Sequence, residues 1–325
     1  QFGFDHVVEE FDRYVHAIDG VQTHYTEYLR EQGVFEPYRD QLKKIWRLTP
    51  THWDAVTSPL SQEHDLTSFL TREALGWVDR QSSEQPFFLQ LSYVQPHVPL
   101  MGDPTWAAFY ENQEIPLGPR ERPSGHSPVW EAYMEECREH SQADRLSDDY
   151  VTRGARQYFA MISLIDQCIG DILSYLDRQG MLENTMVVYS SDHGELLGDH
   201  GLMAKFNFYQ GSVQVPLIVR PPGGCAPQVN DELVELIDVS ATLLDAAGAP
   251  DLEGAHGRSL LPATQGGRVG REAILSEIRA HDGKALDSAT FAALRTDQYR
   301  LTLERTGQEP CELFDLDADP NERVN

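Results

Sequence analysis

Residues 190 to 201 read Ser-Ser-Asp-His-Gly-Glu-Leu-Leu-Gly-Asp-His-Gly, directly after the apolar run Met186-Val187-Val188-Tyr189. Within a strand, Asp192 and His193 would point to opposite faces. Past the strand end, with Gly194 next, the backbone can turn and bring both side chains to one ion. A carboxylate oxygen plus an imidazole nitrogen suits a divalent metal and leaves calcium, manganese, iron and zinc all open. The competing reading of the pair is a hydrogen-bonded turn. Lys205 follows thirteen residues after Asp192, in a chain whose other lysines are Lys43, Lys44 and Lys284. It is either a solvated surface cation or the concentrated positive spot that an anionic group would need here. His97 closes another apolar run and reads as a core histidine or as a second group at a strand end. Asp199 and His200, flanked by Gly198 and Gly201, read mainly as a structural turn.

These residues must be held by the elements around them. Apolar positions Leu66, Phe69, Leu70, Ala74, Trp77 and Val78 fall at helical spacing, and those from Tyr150 to Leu176 keep a 3-and-4 spacing closed by Gly180. The run 86–94 predicts a buried strand ended by Pro96, and 185–190, 215–219 and 233–237 predict further strands. Ser240 can cap a helix over 241–247 that Gly248 ends. Strands alternating with helices imply an α/β fold with a doubly wound, mostly parallel sheet, in which ligand groups lie past the carboxyl ends of the strands. Beyond about residue 268 short strands at 273–278, 291–295, 299–304 and 311–315 predict a small antiparallel subdomain, so that 1–267 is the core and 268–325 the second part. Residues 1–65 read as loops with short helices, and 101–148 as a long surface excursion.

With 52 acidic against 26 basic residues the formal net charge is -26. A field of that sign repels nucleic acid and anionic lipid, so the expected partner is a small anionic molecule received at a local cation or metal. No continuous apolar run approaches the length of a membrane span, so a soluble protein of the cytoplasm or periplasm is expected. The four cysteines, at 137, 168, 225 and 311, form no C-x-x-C pair, and Cys168 falls on the apolar face of a helix.

Five blocks occur in the same order as in the sulfatases of the alkaline phosphatase superfamily: PFFLQLSYVQPHVPL (86–100), SSDHGELLGDHGLMAK (190–205), VPLIVRPPGG (215–224), ELIDVSATLLDAAG (235–248) and CELFDLDADPNERVN (311–325). The DHGELLGDHGLMAK block most resembles the arylsulfatase and phosphonate monoester hydrolase branch. The resemblance implies that Asp192 and His193 are metal ligands and that His97 and Lys205 touch the oxygens of a sulfuryl or phosphoryl group. It also implies a formylglycine nucleophile, made from the Cys or Ser of a C/S-x-P-x-R motif, and an amino-terminal strand ending in paired aspartates. Neither is found here, and Gln210 and Gln214 stand where relatives often carry Glu and Arg. The chain therefore resembles the carboxyl part of such an enzyme, with the nucleophile expected upstream and this part alone expected to be inactive and poorly stable. The leading expectation is metal-dependent hydrolysis of sulfate esters. Phosphonate or phosphate ester hydrolysis, with a Ser or Thr nucleophile as one form of it, and a binding-only protein that keeps the fold are the rivals. Asp315, Asp317, Asp319 and Glu322 read as a carboxyl-terminal structural turn rather than a calcium site.

Overall fold

The computed structural model describes residues 3–48, 53–81, 85–279, 289–305 and 309–325. In chain order the helices are α1 (His24–Glu31), α2 (Phe35–Leu48), α3 (Leu66–Asp79), α4 (Pro104–Tyr110), α5 (Pro128–Ser141), α6 (Asp148–Arg178), α7 (Gln210–Val213), α8 (Ile237–Ala246) and α9 (Leu261–Thr264). The strands are β1 (Val56–Thr57), β2 (Met101–Gly102), β3 (Val187–Ser190), β4 (Leu217–Arg220), β5 (Ile274–Arg279), β6 (Thr290–Arg295), β7 (Tyr299–Glu304) and β8 (Glu309–Asp315). The α/β expectation holds as mixed helices and sheets with a four-stranded antiparallel sheet at the carboxyl end. The chain packs as two compact units, one of residues 1–116 and 147–179, the other of 117–146 and 180–325.

In the first unit α6 is capped by Ser147, whose hydroxyl accepts from the Tyr150 N–H. Its buried side includes Val151, Ala155, Met161, Leu164, Ile165 and Cys168. Among the described residues it is the one helix long and apolar enough to cross a membrane, and in this fold it lies against α3, α4 and β2. Asp65, itself buried, caps α3 through the Thr67 N–H. Tyr25, Leu29, Tyr38, Leu42, Phe69 and Leu70 fill the core between α1, α2 and α3. The beginning of the chain is thus more helical than expected.

Residues 86–94 depart from the expectation of a buried strand. No described residue forms a ladder with the segment, and burial alternates along it, with Phe88 56% exposed. Leu91, Tyr93 and Val94 face the helical core while alternate side chains face out. An apolar run reports the tendency to be covered and does not say which strand covers it.

In the second unit β5 to β8 form an antiparallel sheet in sequence order. β3 pairs antiparallel with β4, Ser190 opposite Leu217. The expected surface excursion contains α5, whose Trp130 is fully buried, 4.8 Å edge-on from the Phe291 ring. Ser127 with Pro128 starts α5, as Asp103 with Pro104 starts α4. The strand expected at 233–237 does not form, and α8 starts at Ile237 with Ser240 inside it. The cause is Asp238: its buried carboxylate accepts from the Glu235 and Arg258 N–H groups and meets the Arg271 guanidinium, which turns the chain into a helix.

Candidate active site

β3 ends at Ser190, whose hydroxyl donates to the Pro216 carbonyl on the way into β4. At the next turn Ser191 Oγ donates to the His193 carbonyl at 2.9 Å, and the His193 N–H donates to Asp192 Oδ1 at 3.0 Å. The turn reverses the alternation of a strand, so His193 Nε2 comes 3.3 Å from Asp192 Oδ2. His193 Nδ1 lies 2.8 Å from the Gly194 carbonyl, which can only accept, so a proton on Nδ1 completes that bond while Nε2 faces the Asp192 carboxylate. Asp192 is 83% exposed and His193 34% exposed.

The fit to a divalent cation follows from this geometry. Two donors about 3 Å apart suit neighbouring positions on an ion with bonds of about 2.0–2.6 Å. With Nδ1 next to the Gly194 carbonyl, Nε2 is the ring atom left for a cation, and a carboxylate oxygen with an imidazole nitrogen is a donor set that calcium, manganese, zinc or iron accepts. Among the described residues no third His, Cys, Asp or Glu joins them.

Gly194 is pinned behind the pair. Its N–H donates to the Ser212 carbonyl at 2.7 Å, and a Cβ there would stand 2.1 Å from the Gly211 carbonyl oxygen. The loop then closes on itself. Glu195 Oε1 accepts from the Leu197 and Ala204 N–H groups, and Leu196 N–H donates to the Ala204 carbonyl. This returns the chain to Lys205, whose carbonyl accepts from Ser212 Oγ at 2.5 Å. Lys205 is half-buried, its ammonium 5.7 Å from the centre of the Phe206 ring, with no carboxylate partner among the described residues.

Asp199 and His200 look elsewhere. His200 is buried, stacked 4.1 Å from the Tyr209 ring, with Nδ1 on the Glu121 carbonyl, and burial lowers its pKa. Burial pushes the Asp199 carboxyl up to about 6, opposed by the charge of Arg120, in a cradle where a Cβ on Gly118 would meet its oxygen at 2.0 Å. Both complete the turn that carries the loop. The carboxyl-terminal acids behave alike: Asp315 accepts from the N–H groups of Asp317 and Ala318, and Asp319 from those of Arg323 and Val324.

A family model described as Sulfatase matches residues 6–249. The chain belongs to the sulfatase family. A second model, N-sulphoglucosamine sulphohydrolase, C-terminal, matches residues 198–325. Choline-sulfatase of Rhizobium meliloti is 34% identical over 80% of the chain and 51% of its own length. The multifunctional alkaline phosphatase superfamily protein PehA of Trinickia caryophylli is 27% identical over 82% of the chain and 56% of its own length. The chain thus spans about half the length of the curated relatives it matches. The solved phosphonate monoester hydrolase of Agrobacterium radiobacter shares the fold, with a TM-score of 0.74 at 21% identity over 95% of this chain and 65% of that one.

In this sulfatase-family chain His97 belongs to the first unit, while Asp192, His193 and Lys205 share the second. His97 Nδ1 stands 3.0 Å from the Val98 carbonyl and 3.3 Å from Asp12 Oδ2, so it carries the proton toward two acceptors. Arg13 escaped the sequence reading. Its buried guanidinium donates to the carbonyls of His97, Pro99 and Met101 and so fixes the segment on which His97 sits. Nothing in its local sequence marks it. The cluster of Arg300, Glu312 and Glu322 was equally missed, although Arg300, Thr302 and Glu304 occupy the buried phase of β7, where charges are costly unless paired. Cys225-Ala226-Pro227 repeats part of the formylglycine motif, but Val229 stands where the arginine would be and Cys225 is exposed.

Proposed function

We propose that this chain is the carboxyl-side part of a metal-dependent sulfate ester hydrolase. The observation that carries the reading is the convergence of Asp192 and His193 at the end of β3 in a sulfatase-family chain. Asp192 and His193 would hold one divalent cation, calcium or manganese first. Bound there, such an ion polarises the sulfuryl oxygens and favours the ionised form of an attacking group.

The chain's own residues supply the rest. Lys205, half-buried and without a competing carboxylate among the described residues, would bring its ammonium to the charge that develops on the transferring SO3 group. It is the local positive spot that a chain of net charge -26 needs to receive an anion. His97, its ring within reach of Asp12 and the Val98 carbonyl, is the candidate proton donor to a leaving oxygen. The loop 195–204, closed by Glu195, keeps Lys205 in register with the metal ligands.

The nucleophile, a formylglycine in this reading, would be supplied by polypeptide preceding residue 1. The half-length match to relatives supports this. Small sulfate esters are the favoured substrate class, since choline-sulfatase is among the relatives, and phosphonate monoesters are the second.

The test uses the complete protein containing this chain. Turnover of 4-nitrophenyl sulfate and of a phenylphosphonate monoester is measured with and without chelator, together with Mn2+ binding by calorimetry. We expect sulfate ester turnover that EDTA abolishes and Mn2+ restores. Binding should be lost in His193→Ala, and residues 1–325 alone should show no turnover. Full activity in EDTA would overturn the metal reading. Turnover of the phosphonate alone would move the assignment to that ester, and absence of both would leave a binding protein.

A further inference from the structure

We infer that Glu322 is a positioning residue for the Asp192, His193 and Lys205 site, acting through the short helix α7. The inference rests on the reading of that site given above. Its evidence is a continuous set of contacts within the second unit.

Glu322 is 2% exposed. Its Oε1 accepts from Arg300 Nε at 2.8 Å, and its Oε2 accepts from the Gln210 N–H at 2.7 Å. Gln210 is the first residue of α7, and the preceding Tyr209 offers no side-chain cap. A backbone N–H at a helix start has no partner inside the helix. Here a carboxylate 112 positions later in the chain supplies one. The tail holds Gln210 a second time, its Nε2 donating to the Pro320 carbonyl, while Arg295 donates to its Oε1.

The other end of α7 is the wall of the site. The Ser212 carbonyl receives the Gly194 N–H, Ser212 Oγ holds the Lys205 carbonyl, and the Gly211 carbonyl lies against Gly194. With glycines on both sides of that contact, no side chain can yield to take up a shift. A four-residue helix moves as one piece, so a displacement at Gln210 reaches the backbone next to His193 and the backbone of Lys205 together.

Glu322 cannot follow such a displacement. Its partner Arg300 is buried, ion-paired with Glu312 at 2.5 Å and laid over the Phe314 ring at 4.7 Å. Glu312 in turn accepts from Trp130 Nε1. An ion cluster of this kind is a poor way to gain stability, since apolar side chains of the same volume would serve as well or better. It is a good way to fix one carboxylate in one direction.

The test separates the Gln210 N–H from the Gln210 side chain in the complete protein. Gln210→Pro deletes the N–H that Glu322 receives and leaves the Arg300–Glu322 pair intact. Tyr209 already has the extended backbone (φ -59°, ψ 149°) that precedes proline. Gln210→Ala keeps the N–H and serves as the control. Two readouts are taken: amide hydrogen exchange at the Gly194 N–H, and Mn2+ affinity by calorimetry. We expect Gly194 exchange to rise at least tenfold and Mn2+ affinity to fall about tenfold in Gln210→Pro and in Glu322→Gln, with Gln210→Ala within about twofold of the parent. Indistinguishable exchange at Gly194 in Gln210→Pro and Gln210→Ala would overturn the inference, whether or not Glu322→Gln folds. If His193→Ala leaves Mn2+ affinity unchanged, the metal reading fails on its own, and the exchange comparison still decides the role of Glu322.

Discussion

Gly194 and Gly211 meet backbone to backbone: a Cβ on Gly194 would lie 2.1 Å from the Gly211 carbonyl oxygen, on the residue that follows the presented imidazole of His193. Gly194→Ala must therefore push α7 away from the β3 end or rotate the His193 carbonyl side of the turn. Inserting a methyl group into such a contact costs about 1–3 kcal/mol. We expect a lower urea midpoint of that order and a fall in Mn2+ affinity larger than the stability change explains. Gly211→Ala meets Leu196 and Asp199 at 3.3 and 3.4 Å and should be milder in both measurements.

Arg300 stands between Glu312 and Glu322, all three buried. Arg300→Met keeps the volume over the Phe314 ring but removes the guanidinium that both carboxylates share. Removing one partner of a buried ion pair costs about 3–5 kcal/mol. The sign of the pH response distinguishes this from lost packing. Burial already raises the Glu322 pKa against the charge of Arg300, and without that cation it rises further. The variant should then regain stability relative to the parent as pH falls from 7 toward 5, because its Glu322 carboxyl takes up a proton that the unfolded chain does not bind. A penalty independent of pH in chemical denaturation would show that the cluster matters through packing alone.

The legible parts of this molecule are those where a local pattern and its partner lie close in sequence. The 3-and-4 spacing from Tyr150 to Leu176 located α6 because one apolar face needs only one helix to display it. The alternation in 299–304 located β7 because its neighbours β6 and β8 are the next segments of chain. Asp192 and His193 were legible because Gly194 marks where strand geometry must end. The failures have the opposite character. Apolar residues at 86–94 specify that something covers them and not which strand does so. Residues 233–237 were read as a strand since the buried carboxylate that turns them, Asp238, draws on Arg258 and Arg271 far along the chain. Glu322 was read as part of a terminal acidic turn, and its bond to Gln210 spans 112 positions.

Arg13 offers a test in the first unit. Its guanidinium fork reaches the carbonyls of His97, Pro99 and Met101 from within a buried pocket. Lysine has the charge but not the planar fork, and its single ammonium cannot serve three carbonyls spread in this way. Losing one or two charge-assisted bonds while a buried cation remains costs about 2–4 kcal/mol. Arg13→Lys should lower the unfolding midpoint accordingly and shift the ring resonances of His97, because its carbonyl loses its donor. Unchanged His97 resonances in a destabilised variant would mean that Arg13 supports the core without fixing the His97 segment.

Asp199 carries a pH prediction whose sign is set by burial. Its carboxyl is pushed up to about 6 by desolvation, which Arg120 opposes, against about 3.9 in an unfolded chain. Between those values the folded state binds more protons than the unfolded state, so ionising Asp199 destabilises the fold. The associated stability is fully present below the unfolded value and is lost as pH rises through about 6. Asp199→Asn keeps the shape in the Gly118 cradle and cannot ionise. Its melting temperature should exceed that of the parent at pH 7.5, and the difference should shrink steadily as pH falls from 7 toward 4. His200 next to it acts in the opposite direction, since burial lowers its pKa and protonation below 6.5 costs stability in parent and variant alike. Taking the difference between the two proteins cancels that contribution and isolates the carboxyl. A constant difference across this range would show that the cradle favours the amide by shape, and that the Asp199 carboxylate is not the strained group of the turn.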